Sequence, residues 1–178
     1  LGGVAVNLLV AVLGAYATEW TSGATTDRDK LAAIDHQLSR FEYSLAVKRD
    51  HKLDPIIDFV TLHRAGHCEM FASAMVLMAR TQGIPARVVG GYHVSEVNPL
   101  TGRAVVRDRH AHAWVEAWVE NGWREYDPTP GAEANRKKAG FLDNLGDVIS
   151  SSIERAAIAI NKLGTFGTVA LLGAIALV

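Results

Sequence analysis

Cysteine, proline and charge of either sign are all scarce in this chain. Cys68 is the single cysteine among 178 residues, which excludes an internal disulfide framework and any zinc motif built on cysteine pairs. Chemistry at that position has to be thiol chemistry. With five prolines, 21% charged and 49% hydrophobic residues, the chain lies far from the disordered class and has apolar material for a sizeable core. Eighteen basic against 19 acidic residues leave a net charge of −1, without the cationic excess of a nucleic-acid binder. No internal repeat, low-complexity tract, phosphate-binding glycine loop or acidic calcium loop is present.

Both ends lack charge altogether. Residues 1–18 reach the lower limit for a bilayer-spanning helix, and Ala15-Tyr16-Ala17 has the small-x-small pattern of a signal cleavage site. The chain starts without Met, which points to a fragment of something longer. Residues 163–178 are again uncharged and read as a truncated membrane helix in preference to a docking helix. Between them lie a folded domain over 19–135 and a helical connector of mixed charge over 136–162.

The folded part changes period midway. Thr26 followed by Asp29 resembles a capping box opening a helix over about 27–40, with Leu31, Ile34, Leu38 and Phe41 at helical spacing. Phe41–Val47 alternates as a short strand, and Asp54-Pro55 reads as the start of a second helix ending near Ala65-Gly66. From Cys68 to Thr81 nearly every residue is apolar, the pattern of a helix buried all round, closed by Gly83 and Pro85. Strand-like stretches follow at 86–94, 103–107, 112–120 and 123–127, with turns at residues 98–102 and at Asn121-Gly122. Helices followed by antiparallel strands predict an α+β domain. Gly90-Gly91, inside a strand, predicts a bulge or a close backbone approach.

Cys68 sits where a buried helix begins, and there unpaired N–H groups and the positive end of the helix dipole favour thiolate over thiol. A nucleophilic thiolate needs an imidazole to handle the proton and a third group to orient it. His112 and Asp127 are the candidates. Alternation puts both on one sheet face, but a turn at Asn121-Gly122 sets His112 opposite Gly131, about 13 Å along a regular strand from Asp127. A bulge, a strong twist or a different turn has to bring the two together.

Four separate blocks, Gly66-His67-Cys68-Glu69-Met70-Phe71-Ala72-Ser73-Ala74, Gly83 to Tyr92, His112-Ala113-Trp114 and Asp127-Pro128-Thr129, resemble the bacterial transglutaminase-like superfamily in order, spacing and identity, most of all its membrane-anchored branch. Ala24–Asp27 and Phe41–Ser44 resemble its upstream elements, so the likeness covers about 24–131. The resemblance implies a papain-like α+β core in which Cys68 is the nucleophile, His112 the general base and acid, and Asp127 the group that orients the imidazolium. It implies that a glutamine carboxamide or other amide of a protein or peptide acylates the thiolate and that an amine or water resolves the thioester, with no cofactor and no metal. Trp114, Glu69, His67 and Tyr92 become candidates for substrate contact or the site wall. It also implies membrane association through the flanking segments and a catalytic domain outside the cytoplasm. The backbone N–H of Cys68 is the natural first oxyanion donor, while no Trp just before Cys68 offers an indole as the second.

Three other readings compete. His110 shares strand parity with His112 and is a rival base, although the family pattern puts the histidine directly before Ala-Trp and leaves His110 at the rim. His63 and His67 lie four apart on a helical pattern and, with Cys68, His110 and His112, would serve a metal-binding function. The third is a non-catalytic binding domain, whose usual sign is loss of the nucleophile, histidine or aspartate; all three are kept.

Overall fold

The computed structural model describes residues 2–47, 52–94, 96–131 and 140–175. They form two compact units, one within Leu1–His93 and Arg107–Arg136, the other within Val94–Val106 and Lys137–Val178. The first is an α+β unit of helices beside an antiparallel sheet.

Its centre is the all-round apolar helix α4 (Cys68–Thr81), with Met70, Phe71, Ala72, Ala74, Met75, Met78 and Ala79 buried. Helix α1 (Gly2–Trp20) and helix α2 (Asp27–Leu38) pack on it, α1 through the fully buried Leu13 and Ala17, α2 through Leu31, Ile34 and Leu38. Helix α2 opens on the expected capping box: the Asp29 N–H donates to the Thr26 hydroxyl at 3.1 Å and the Thr26 N–H to the Asp29 carboxylate at 3.2 Å. The opposite flank of α4 meets a three-stranded sheet of order β3-β4-β5, with β3 at Ala86–Tyr92, β4 at Ala111–Val119 and β5 at Gly122–Tyr126. Ala113, Val115, Ala117 and Val119 supply the buried face of β4.

Two short pieces carry the chain into α4. Helix α3 (Pro55–Asp58), capped by the Asp54 carboxylate, widens into a π-turn over Phe59–His63 instead of continuing to Ala65-Gly66 as an α-helix. Arg64 ends it in the left-handed conformation (φ 49°), and the His63 Nδ1 is 2.9 Å from the buried Asp58 carboxylate across the widened turn. Strand β2 (Ala65–Gly66) then pairs in parallel with β1 (Glu42–Tyr43), all that forms of the longer strand expected over 41–47. Phe41, Phe59 and Phe71 stack edge to face at 5.4 and 4.9 Å, joining β1, the π-turn and α4. Such pairs add about 0.5–1.5 kcal/mol each beyond burial.

In the second unit no strand forms over 103–107. Val97 and Ala104 make one antiparallel bridge, because the chain turns tightly at residues 98–102: the buried Asn98 accepts the Leu100 N–H on its side chain and the Gly102 N–H on its carbonyl. Helix α5 (Phe141–Ile175) runs without a break across position 163. No helix among the described residues is long and apolar enough to cross a membrane; Leu1 and residues 176–178 of the two uncharged ends lie outside them.

Candidate active site

Cys68 is the first residue of α4, and its N-cap, His67, is extended (φ −101°, ψ 173°) and makes no side-chain cap. The helix start thus presents backbone N–H groups that no capping side chain takes, an arrangement that favours negative charge. Cys68 lines a cavity of about 850 Å³ together with His67, Glu69, Gly90, Tyr92 and His112. Four of the residues proposed from sequence therefore join Cys68 in one wall. Glu69, with its side chain 74% exposed, reaches the His67 Nδ1 only at 3.8 Å, and Tyr92, 57% exposed, stands at the open side.

The histidine and aspartate meet because the hairpin differs from the expected one. Glu120 and Asn121, not Asn121 and Gly122, occupy the two turn positions, both left-handed (φ 53° and 63°), so that Trp118 pairs with Trp123 and Val119 with Gly122. Continuing that register puts Thr129 opposite His112 and Asp127 one diagonal step away, a separation of about 7–8 Å between backbones that two side chains close. The His112 Nε2 lies 2.6 Å from the Asp127 Oδ2, and the other carboxylate oxygen accepts the Thr129 N–H at 3.1 Å. A carboxylate at that distance accepts, so Nε2 carries the hydrogen and the lone pair of the neutral ring falls on Nδ1.

Trp114 does not line the cavity but flanks the imidazole, ring centroids 6.3 Å apart and planes within 21°. Gly91 makes the room: a Cβ there would stand 2.8 Å from the indole. Gly91 alone thus serves close approach, a Cβ at Gly90 would meet open space, and no bulge forms, since Gly90 and Gly91 pair regularly with Ala113 and His112. Gly91→Ala is expected to displace the indole, lowering stability by about 1–3 kcal/mol and turnover with it, as thermal melts and kinetics on the same preparation would measure.

His110 is not at the rim. It is 2% exposed, its Nδ1 accepts the Arg107 N–H at 3.1 Å and its carbonyl accepts the His93 N–H at 2.8 Å, holding the turn before β4. His63 is engaged by Asp58, and among the described residues no three His, Cys, Asp or Glu side chains converge to hold a metal ion.

The sequence reading missed Asp35. Burial raises its carboxyl above the ordinary range, and repulsion from Asp127 adds to the rise. The folded chain then holds that proton more tightly than the unfolded chain, so stability falls as pH climbs from the ordinary carboxylate range through the raised value. Asp35→Asn is expected to raise the Tm at neutral pH, with the difference shrinking toward zero in acid; melts across the pH range check it.

Comparison with known proteins places the chain among relatives of one family. Protein-glutamine gamma-glutamyltransferase of Pseudomonas aeruginosa is 43% identical over 93 residues, 52% of this chain and 14% of that protein. The periplasmic domain of TgpA from Pseudomonas aeruginosa superposes with a TM-score of 0.61 at 34% identity, over 67% of this chain and 44% of that one. A candidate cysteine protease from Cytophaga hutchinsonii gives 0.52 at 26% identity, over 67% and 37% of the two chains. The chain spans about a seventh of the length of the Pseudomonas transferase. A family model for the transglutaminase-like superfamily matches residues 14–128, a span that takes in Cys68, His112 and Asp127, and the chain belongs to that superfamily.

Proposed function

We propose that this domain is a transglutaminase-like thiol enzyme in which Cys68 attacks a glutamine carboxamide or related amide of a protein or peptide. The observation that carries the reading is the 2.6 Å contact between the His112 Nε2 and Asp127, on a histidine that shares a cavity with Cys68. The Sγ thiolate adds to the carbonyl carbon, the intermediate collapses with a proton from His112 to the leaving nitrogen, and ammonia departs from the thioester. An amine or water, giving a proton back to His112, then releases the acyl group and restores the thiol. His112 and Asp127 act as base and orienting group, and the indole of Trp114 shields the imidazole. The same parts hydrolyse a peptide bond when the leaving nitrogen belongs to a backbone amide, a second reading favoured by the likeness to the Cytophaga protein.

The setting we infer is extracytoplasmic and beside a membrane. The similarity to a periplasmic domain supports it. The deciding experiment incubates the domain with a glutamine-bearing peptide, with and without a primary amine, and weighs the products. Amine incorporation identifies crosslinking, acid formation deamidation, and two shorter peptides backbone cleavage. An unchanged peptide under every condition, with Cys68 still alkylated, refutes the proposal.

A further inference from the structure

The Cys68 backbone N–H leaves an oxyanion one hydrogen bond short, and no indole stands just before Cys68 to supply the other. We propose that the Tyr43 hydroxyl is the second oxyanion donor, an inference that rests on the acyl-enzyme reading above. Tyr43 lines the same cavity as Cys68 and His112. Backbone pairing holds it there: Tyr43 is matched with Gly66, two residues before the nucleophile, the Glu42 N–H donates to the Arg64 carbonyl at 2.9 Å and the Ser44 N–H to the Gly66 carbonyl at 2.8 Å. The phenol is thus tied to the segment that delivers the sulfur, and the Phe41–Phe59–Phe71 stack fixes that segment against α4.

The hydroxyl has the right chemistry for a donor. Burial, together with the neighbouring Cys68, pushes its pKa above the usual tyrosine value, so it keeps its proton at neutral and mildly alkaline pH. The alternatives serve less well. Trp114 Nε1 and the Thr129 hydroxyl are shut off from solvent, and Tyr92 stands largely exposed at the open side. When Sγ bonds to the carbonyl carbon, the C=O π pair moves onto oxygen, and the Cys68 N–H and Tyr43 O–H both donate to it; when the leaving nitrogen departs, the pair returns to re-form the carbonyl.

The test compares wild type, Tyr43→Phe and Tyr16→Phe for two reactions of the one thiol: acylation by an aryl ester, followed by intact mass, and alkylation by iodoacetamide. Alkylation at a saturated carbon develops no oxyanion and serves as the internal control. Tyr43→Phe is expected to slow acylation by about 10²-fold or more while alkylation and the melting curve stay at wild-type values, and Tyr16→Phe, on α1 and outside the cavity lining, to leave acylation near wild type. Equal acylation in Tyr43→Phe, or a matched fall in both reactions, overturns the assignment with the acyl-enzyme reading intact. A wild-type thiol that alkylates yet never acylates overturns that reading and this inference together.

Discussion

Cys68→Ala is expected to remove turnover by about 10⁶-fold, the scale seen when a nucleophile acting in a concerted triad is deleted. Cys68 is the chain's single cysteine, so iodoacetamide labelling should also fall to zero, and any label left on native protein would be off-site chemistry at other side chains. The fold has little reason to follow. The residue is half-buried at the first position of α4, and the buried packing of that helix comes from Met70, Phe71, Met75 and Met78. An unchanged circular dichroism spectrum with no product places the loss in chemistry. Retained turnover would mean that another group attacks, and the thiol mechanism would be wrong.

Helix α4 was legible to the residue because its signal is local: an apolar stretch that no amphipathic helix would show, stopped by Gly83, whose φ of 79° suits a residue without Cβ. The Thr26–Asp29 capping box was equally local. The hairpin was not, since Asn-Gly ordinarily outranks Glu-Asn as a turn pair, and here β3–β4–β5 packing holds Glu120 in a left-handed conformation that its side chain does not favour. That shift brings Asp127 to His112. The π-turn likewise has a tertiary component, the Phe59 ring held between Phe41 and Phe71, beside the local Asp58–His63 contact that spans it. Tyr43 went unrecognised because its placement comes from a two-residue parallel pairing between segments far apart in sequence, for which periodicity has no signal. Cys68, His112 and Asp127 could be named from their motif blocks, but their convergence had to come from the folded chain.

Asp127→Asn is expected to lower kcat by about 10⁴-fold with little change in the fold, because the substitution keeps the shape and alters the proton. In the native site the acceptor-only carboxylate, 2.6 Å from Nε2, fixes the hydrogen on that nitrogen. An asparagine amide can donate to Nε2 instead, which stabilises the tautomer with its hydrogen on Nδ1 and leaves no lone pair there to take a proton from the thiol. His112→Ala should go further, reducing turnover to the residue left by positioning and oxyanion contacts and slowing iodoacetamide at neutral pH. His110→Ala separates position from chemistry. It removes the acceptor used by the Arg107 N–H, so a stability loss of about 1–3 kcal/mol is expected, while turnover per folded molecule stays near wild type. If His110→Ala instead abolished turnover in fully folded protein and His112→Ala did not, the roles of the two histidines would be reversed, and the 2.6 Å contact to Asp127 would be a structural bond holding the end of β5 to β4.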